Sequence, residues 1–388
     1  MRNIHIEALN AVPTFKRRFE IVERKGLGHP DTICDLVMDE ISVAVAKMYM
    51  KEVGYILHYN LDKALLVAGE SVNRFNGGEI IKPMRLVIGD RASFSVNDHI
   101  LPINDIIEKT AKRWFNDNLR FVKDEHIRYQ IELGKAASEL RSIFTDRYRS
   151  NDTSALVGYA PLTKTEEAVL RTEEYINSKE FKSEFPESGE DVKVMGFRDN
   201  DSLELVLAIA FIDSYIDSVK HYFNRKKEML QAIEEFHRKK GYFDKFNIII
   251  NNLDKESKGI DGLYLTVLGT SADSSDSGEV GRGNRVNGVT SLMRPTGSEA
   301  AAGKNPVTHI GKIYNALAFK IANDIYQNID LDEVFVWLYN IIGNTIDEPV
   351  IIIQSTDTSE EIEDIVEDNL SKIDEFCKEL ISGNIKIV

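Results

Sequence analysis

The segment from residue 269 to residue 312 constrains this chain more than any other part of the sequence. It contains eight glycines and five basic side chains, and it directly follows a strand-like run. Ordering many glycines costs backbone entropy, so they gather mainly where the backbone must approach something closely. Clustered backbone N–H groups bind anions, and Arg282, Arg285 and Lys304 would neutralise one. The segment therefore predicts a polyphosphate site, with a long flexible loop as the alternative.

The overall composition limits the class of protein and of partner. The 388 residues carry a net charge of −15 and are 43% hydrophobic, which is typical of a soluble globular protein of two or three domains. An acidic protein is poorly suited to bind nucleic acid, so none is expected as a partner. Cys34 and Cys377 are the only cysteines, which excludes a disulfide framework. Because we find no apolar signal core or membrane-length run, we expect a cytoplasmic protein without membrane contact.

Helical and strand periodicities alternate along the chain. Apolar residues recur at helical spacing through residues 31–53 and at every second position through residues 203–211, which predicts an amphipathic helix and a long strand. Short apolar runs predict strands at residues 247–250, 263–268, 334–338 and 350–353, and further helices are predicted at residues 213–237 and 306–326. The polar stretch 178–191 is predicted to be an exposed excursion. Strand clusters followed by long helices indicate an α+β fold.

Two short motifs stand where predicted helices begin. Pro30 suits a first helical turn, so His29 and Asp31 would lie at the positive end of a helix dipole, which favours anions. An Asn-Pro pair directly after Lys304 is likewise typical of a helix start. On spacing alone, however, His29 and Asp31 are equally well explained as a polar cap and an ordinary first-turn acid.

The remaining patterns exclude the common nucleotide-binding folds. Gly303 and Lys304 lack the GxxxxGK[ST] spacing of a P-loop, and no GxGxxG follows a strand with an acidic residue downstream. Asp152, in an Asn-Asp-Thr run, is explained on its own by an Asx turn ahead of a strand. The predicted anion site would therefore belong to a different architecture.

An ordered set of motifs resembles one enzyme family. GHPD at residues 28–31, DSGEVGR at residues 276–282 and GKNP at residues 303–306 are similar to the S-adenosylmethionine synthetases. VAGE, NDTSALVGYAPLT and IGNTIDEP also fit in the family's order, and EAAAGKNPVTHIGKIYN resembles its archaeal branch. The resemblance covers nearly the whole chain. GHPD alone would be a weak signal, whereas the ordered set is highly specific.

The resemblance implies a methionine adenosyltransferase. In this family the methionine sulfur attacks C5′ of ATP and expels the triphosphate, which is then cleaved to pyrophosphate and phosphate. A thioether needs no general base, so catalysis would rest on positioning and on electrostatic stabilisation of the leaving group. His29 matches the histidine that stabilises O5′, and Asp31 matches a magnesium ligand, since Mg²⁺ prefers oxygen. Arg282 and Lys304 match cations that hold the triphosphate.

Further matches concern the substrates. Glu70 matches a glutamate that binds methionine, Asp276 an acid that contacts methionine or the nucleoside, and Asp152 an acid at adenosine or the methionine end. The other residues expected at the substrates are Gly278, Gly281, Arg285, His309 and Lys312.

The chain also departs from the commoner family pattern. Where that pattern supplies a lysine and an aspartate after GKDP, this chain has Thr308, His309 and Lys312, so the ligand of the second magnesium cannot be carried over. Lys312 or Arg285 would supply the missing cation, and the alternative for Lys312 is a solvated helix residue. The family's potassium-site glutamate has no clear match within residues 55–63, which speaks against K⁺ dependence.

The family fold implies three similar sheet-plus-helices units built from interleaved segments, approximately residues 1–125, 126–257 and 258–388. Their sheets would pack at the interface of a homodimer, or of a higher oligomer of such dimers. ATP, L-methionine and two Mg²⁺ ions would bind at that interface. Two alternatives stay open: a triphosphate-binding kinase or phosphohydrolase, and a non-catalytic nucleotide-sensing homologue.

Overall fold

The computed structural model describes residues 2–96, 99–136 and 148–387, in which helices alternate with short strands. The helices are α1 (Pro30–Val53), α2 (Ile103–Asn118), α3 (Lys164–Ile176), α4 (Lys179–Glu184), α5 (Val219–Lys240), α6 (Ile310–Asn328), α7 (Glu361–Ser371) and α8 (Ile373–Ser382). The strands are β1 (Asn3–Ala8), β2 (Phe19–Lys25), β3 (Asn60–Val67), β4 (Glu70–Val72), β5 (Glu79–Lys82), β6 (Met84–Ala92), β7 (Ser95–Val96), β8 (His99–Ile100), β9 (Ile127–Lys135), β10 (Ser154–Ala160), β11 (Ser188–Asp199), β12 (Ser202–Ile212), β13 (Lys245–Ile250), β14 (Leu265–Thr266), β15 (Gly278–Glu279), β16 (Thr290–Ser291), β17 (Val334–Asn340) and β18 (Val350–Ser355).

Most of these strands belong to three mixed sheets. One has the order β1-β18-β17-β10, the second β13-β12-β11-β2-β16 with β14 beside β12, and the third β15-β3-β6-β9. Each sheet joins strands that are far apart in the sequence. β1, for example, pairs in parallel with β18, from Asn3 opposite Val350 to Ala8 opposite Ser355. The mixed α+β class predicted from the sequence is confirmed.

Helices cover one side of each sheet. In the third sheet, α1 packs on β3 and β15 and also contacts α2, while α6 packs on β10 and β17 of the first sheet and α3 packs on β11 and β2 of the second. Along β3 the burial alternates, with Ala64 and Leu66 buried and Lys63 and Leu65 exposed. This period of two is typical of a strand with one face on the core. Within the described part of the chain, every helix is too short or too polar to cross a lipid bilayer.

The long periodic elements lie where the sequence predicts them. The helix predicted at residues 31–53 is α1, and the strand predicted at residues 203–211 is β12. The short runs at residues 247–250, 334–338 and 350–353 fall within β13, β17 and β18. The helix predicted from residue 213 begins only at Val219, because Ser218 caps it by accepting the N–H of His221.

Two further predicted elements differ from the structure. The helix predicted from residue 306 begins at Ile310, and its N-cap is His309 rather than Asn305. Asn305 instead uses its side-chain oxygen to accept the N–H of Val307 within a turn. The predicted strand 263–268 is reduced to two residues, because Asp273 accepts the N–H groups of Val267 and Leu268, both at 2.7 Å.

The exposed excursion predicted at residues 178–191 is wrong. This stretch forms α4 and the start of β11, and Phe181 and Phe185 are buried in it. Its polar side chains are paired inside the protein. Lys182 donates to Ser188 Oγ and Gly189 O, and the Glu190 carboxylate pairs with Arg120.

Candidate active site

The N-terminal end of α1 is fixed against the second sheet by two glycines. The N–H of Gly26 donates to Val192 O at 2.6 Å, and the N–H of Gly28 donates to Glu190 O at 2.9 Å. A Cβ at Gly28 would lie 2.4 Å from the Asp191 nitrogen, so no side chain fits there without a shift of the backbone. The chain then enters α1 at Pro30, whose fixed φ suits a first helical turn.

His29 caps α1 and is neutral at pH 7. Its Nδ1 accepts the N–H of Asp31 at 3.2 Å. Burial lowers the pKa of His29 to about 4, with the nearby Asp31 carboxylate opposing this and the Lys25 ammonium reinforcing it. Because Nδ1 accepts a hydrogen bond, the ring proton lies on Nε2, and the imidazole presents one uncharged N–H donor.

Asp31 joins two of the motifs. Its Oδ1 accepts the N–H of Glu279 at 3.0 Å, and its Oδ2 accepts from Lys25 Nζ at 2.9 Å. The two backbones are in direct contact, because a Cβ at Gly278 would lie 2.1 Å from the carbonyl carbon of Pro30. The structure thus brings His29, Asp31 and Gly278 together.

Asp35 is a buried residue of the site that the sequence analysis missed. Its two carboxylate oxygens accept the N–H groups of Gly281 and Gly283 at 2.7 and 3.1 Å. Burial raises the pKa of the Asp35 carboxyl to about 7, and these two hydrogen bonds oppose that rise. The signal was available, because a residue four positions after Asp31 lies on the same face of a helix.

A cleft of about 770 Å³ lies beside the glycine-rich segment. Its lining includes Glu279, Gly281, Arg285, Glu299 and Lys304. The DSGEVGR and GKNP motifs therefore line one cavity. Asp31 of the GHPD motif is joined to the wall of that cavity by its hydrogen bond with Glu279.

The Lys304 ammonium is neutralised within this cleft. Nζ pairs with Asp62 and lies 3.1 Å from Glu299 Oε2, and only 2% of the side chain is exposed. Burial would raise the pKa of Asp62, but the Lys304 ammonium holds it well below its usual range. Neither carboxylate was predicted. Asp62 gave a faint signal as a charge inside the apolar strand β3.

Asp62, Glu299 and His309 place ligand-type atoms within 4.8 Å of one another, which makes them a candidate metal cluster. The Lys304 ammonium already pairs with both carboxylates. His309 caps α6 through Nδ1, which accepts the N–H of Gly311 at 3.1 Å, so its proton lies on Nε2. A metal could bind here only after Lys304 moves away and, for nitrogen ligation by Nε2, after the His309 cap is released.

The two predicted arginines differ in their surroundings. Arg282 is exposed, and its guanidinium makes no hydrogen bond or ion pair with any residue that the structure describes. Arg285 is half-buried in the wall of the cleft, and its Nε is buried without a hydrogen-bond partner in the described chain. Both guanidinium groups retain donors for a ligand.

Lys312 is not the solvated helix residue that the sequence left open. It is 1% exposed, and Nζ lies 2.5 Å from Asp39 Oδ1 and 3.2 Å from Ser42 Oγ. Its contact with a phosphate stays a prediction, and it would require breaking this internal pair.

The acids predicted at methionine and adenosine lie in two places. Glu70 and Asp276 are exposed on either side of the turn at residues 271–273, where Gly69 N donates to Ala272 O and Asp276 N donates to Ser271 O. Asp152 lies nearer Lys304, because the neighbouring Asn151 bonds to Thr308. Burial raises the pKa of Asp152, with Glu299 adding to the rise and Lys304 opposing it.

A larger cavity, of about 900 Å³, lies elsewhere and contains none of the predicted site residues. Its buried charges are already paired, Arg198 with Glu20 and Arg294 with Glu333. The cleft beside Lys304 also contains Arg285, whose buried Nε has no hydrogen-bond partner in the described chain, so this cleft is the better candidate for a charged substrate.

The fold and the site define an α+β protein with a cleft that is lined by both cations and carboxylates and whose wall is joined to the start of α1 through Glu279 and Asp31. Residues 2–384 match the family model described as S-adenosylmethionine synthetase (AdoMet synthetase). The chain is 41% identical to the S-adenosylmethionine synthase of Saccharolobus solfataricus, covering 99% of both chains. It is also 41% identical to that of Pyrococcus furiosus, covering 90% of this chain and 88% of the relative. The chain belongs to the S-adenosylmethionine synthetase family.

A solved structure of the same family shares the fold. The structure described as an unusual S-adenosylmethionine synthetase from Campylobacter jejuni superposes with a TM-score of 0.59 over 89% of this chain and 82% of that one, at 16% sequence identity. At this identity the likeness concerns the fold alone.

Proposed function

We propose that this chain forms S-adenosylmethionine from ATP and L-methionine and cleaves the expelled triphosphate to pyrophosphate and phosphate. The observation that carries the proposal is that the GHPD, DSGEVGR and GKNP motifs lie next to one another in the structure. Asp31 binds the backbone of Glu279, and Glu279 shares the cleft with Lys304. Family membership over residues 2–384 supports the same activity.

His29 is the group proposed to assist departure of the triphosphate. Sulfur attack on C5′ breaks the bond to O5′ and leaves negative charge on that oxygen. A neutral imidazole with its proton on Nε2 donates to this charge without adding a fixed cation, and a preorganised donor acts most strongly in the transition state. The cap on Asp31 N–H holds the ring in the orientation required.

Arg282, Arg285 and Lys304 are proposed to bind the triphosphate. The two arginines have donors free for a ligand, whereas Lys304 is held by Asp62 and Glu299. Arrival of a polyanion would draw the Lys304 ammonium away from the two carboxylates. The carboxylates would then face the phosphates unpaired, which is favourable only if another cation replaces Lys304.

Mg²⁺ fits the residues present. Asp31 is a hard oxygen donor whose two oxygens each accept one hydrogen bond, which leaves further lone pairs available. Asp62 and Glu299 are proposed as carboxylates for a second ion, in place of the aspartate that the commoner family pattern has after GKDP. When bound, Mg²⁺ would neutralise charge on the triphosphate.

The remaining site residues are proposed to bind the two substrates. Glu70 would contact methionine, whose ammonium group an acid can pair with. Asp276 would contact methionine or the nucleoside, and Asp152 would contact adenosine or the methionine end. Gly281 would allow close backbone approach to the ligand, and Gly278, whose missing side chain admits the Pro30 backbone, would hold this segment beside the start of α1. His309 and Lys312 would act on the phosphate side only after release of their present partners.

We also propose that the chain forms a homodimer through its three sheets. Each sheet leaves large apolar side chains more than a third exposed, among them Leu65 on β3, Val206 on β12 and Ile352 on β18. Each sheet with its own helices would be one unit built from separated segments, because each sheet takes strands from more than one of the ranges 1–125, 126–257 and 258–388. The active sites would lie between the two subunits.

The test is a turnover assay with ATP, Mg²⁺ and each substrate omitted in turn. We expect consumption of ATP only with L-methionine, with a sulfonium product, pyrophosphate and phosphate formed in equal amounts. Phosphate release without methionine would indicate a phosphohydrolase, and nucleotide binding without turnover would indicate a sensor. Either result would overturn the proposal.

A further inference from the structure

The glycine-rich segment is held to α1 by a carboxylate to which the proposed chemistry assigns no role. Asp35 accepts the N–H groups of Gly281 and Gly283, the two residues on either side of Arg282. It is 2% exposed. We propose that Asp35 is a positioning residue, which fixes the Arg282 backbone so that the Arg282 side chain faces the triphosphate. This inference rests on the proposed function.

The backbone around Arg282 is fixed from three directions. Besides the two bonds to Asp35, the carbonyl oxygen of Arg282 accepts from Lys25 Nζ at 2.5 Å. Gly281 has φ +87°, in the left-handed region that favours glycine. The side chain of Arg282, in contrast, is exposed and unpaired within the described residues. A rigid backbone that carries a free guanidinium is suited to binding a ligand.

The contact at Gly283 is close enough to exclude a side chain. A Cβ added there would lie 2.2 Å from Asp35 Oδ2. The carboxylate and the glycine are thus matched to each other. A larger residue at position 283 would push the segment away from α1.

A buried carboxyl group beside the proposed polyphosphate site needs a reason, because its ionised form repels the ligand. The reason is hydrogen-bond geometry. A carboxylate offers only acceptors and can receive two backbone N–H groups at once, whereas an amide has one acceptor oxygen and directs its NH₂ at the second N–H. We call the two hydrogen bonds from Gly281 and Gly283 to Asp35 the clamp. Asp35→Asn would therefore break one of these two bonds with almost no change in side-chain volume.

The experiment measures the Kd of inorganic triphosphate by calorimetry, together with the KM values for ATP and methionine. Losing a hydrogen bond to a charged group shifts such constants by about 10- to 100-fold. For Asp35→Asn we expect a weakening of that size for triphosphate and ATP, with the methionine KM changed less than about 2-fold. The result that overturns the inference is a folded variant with wild-type triphosphate affinity.

A double-mutant cycle separates positioning from simple structural support. If Asp35 acts through Arg282, Asp35→Asn should weaken triphosphate binding much less in an Arg282→Ala background than in the wild type. Full additivity would contradict the proposed route. Should Asp35→Asn fail to fold, Gly283→Ala displaces the same clamp without altering charge, and wild-type triphosphate affinity in that variant would equally overturn the inference.

Asp213 provides the matched control. It is 1% exposed, and its Oδ2 also accepts two backbone N–H groups of a glycine turn, from Arg74 at 3.2 Å and Gly78 at 2.9 Å. We expect Asp213→Asn to leave the triphosphate Kd unchanged, because a single oxygen accepts both N–H groups there and the amide oxygen can keep both bonds. A wild-type protein that binds triphosphate but forms no S-adenosylmethionine would disprove the proposed function while leaving the clamp testable by binding.

Discussion

Two histidines cap the two helices that begin at the candidate site. His29 accepts the N–H of Asp31, and His309 accepts the N–H of Gly311, both through Nδ1. Burial lowers the pKa of His29 to about 4 and that of His309 to about 3, so both rings are neutral at pH 7. A charged imidazole would be unfavourable at the positive end of a helix dipole. Each ring therefore offers an uncharged donor on Nε2 near a site for anions.

His29→Ala is expected to lower kcat by about 100-fold or more while ATP still binds. The reason is that the donor acts mainly on charge that develops as the bond to O5′ breaks. Steady-state kinetics and ATP titration provide the measurement.

His29→Asn is the control for the capping role. Asn is a good N-cap, so this variant should recover thermal stability relative to Ala but not kcat. A kcat close to wild type in either variant would remove His29 from the chemistry.

Arg282→Ala and Lys304→Ala should separate binding from stability. Arg282 is unpaired within the described chain, so its loss should weaken triphosphate binding and leave the melting temperature almost unchanged. Lys304 neutralises the buried Asp62 and the half-buried Glu299, so its loss should also destabilise the fold by about 3–5 kcal/mol. Triphosphate hydrolysis and chemical unfolding of both variants provide the test. Wild-type hydrolysis in both would assign the phosphates to other residues.

At the residue scale, the motifs gave the candidate site residues but not the internal partners that hold them. His29 and Asp31 lie at the start of α1, and Lys304 lies in the turn ahead of α6, where Gly, Pro and Asn mark them in the sequence. Asp62 lies inside β3, and its ion pair with Lys304 spans 242 positions, so spacing gives no sign of it.

At the scale of elements, periodicity predicted the long pieces and failed where polar residues pair internally. α1 and β12 repeat their apolar residues over many positions, so one face of each is evident. In the stretch 178–191 the composition indicates exposure, yet Lys182 and Glu190 find partners in β11 and at Arg120. Such partners are a product of tertiary packing and cannot be inferred from composition.

The contact between α5 and α3 predicts sensitivity to acid. His237 is 2% exposed and its Nε2 lies 2.8 Å from Thr172 Oγ1. Burial lowers its pKa to about 4. The unfolded chain therefore takes up a proton below about pH 6.5, whereas the folded chain does so only near pH 4. Stability from the neutral ring is present above pH 6.5 and is lost as the pH falls toward 4.

His237→Gln removes this titration and keeps a polar contact with Thr172. Between pH 7 and pH 5 the free energy of unfolding of the wild type should fall by about 2 kcal/mol more than that of the variant. Urea titrations at the two pH values measure the difference. Parallel losses in both proteins would mean that His237 already binds its proton in the folded state.

At the scale of the whole molecule, the three sheets leave apolar faces uncovered. We expect Val206→Asp to yield a monomer without activity, because a carboxylate on the outer face of β12 cannot be buried unpaired in an interface. Sedimentation velocity at assay concentration measures the state of association. Leu253→Asp is the matched control, since Leu253 is 87% exposed in a turn outside the three sheets, and this variant should remain an active dimer. An active wild-type monomer would contradict the shared site.

The pairing of β1 with β18 also determines when the first sheet can form during biosynthesis. The two strands lie about 350 residues apart, and at translation rates of 5–20 residues per second β1 emerges roughly 20–70 s before its neighbour exists. During that interval Ile4 and Ile6 have no β18 to pair with. The first sheet is therefore the last of the three to be completed. Until β18 is synthesised, the nascent chain carries an unpaired strand edge that chaperones or neighbouring nascent chains can bind.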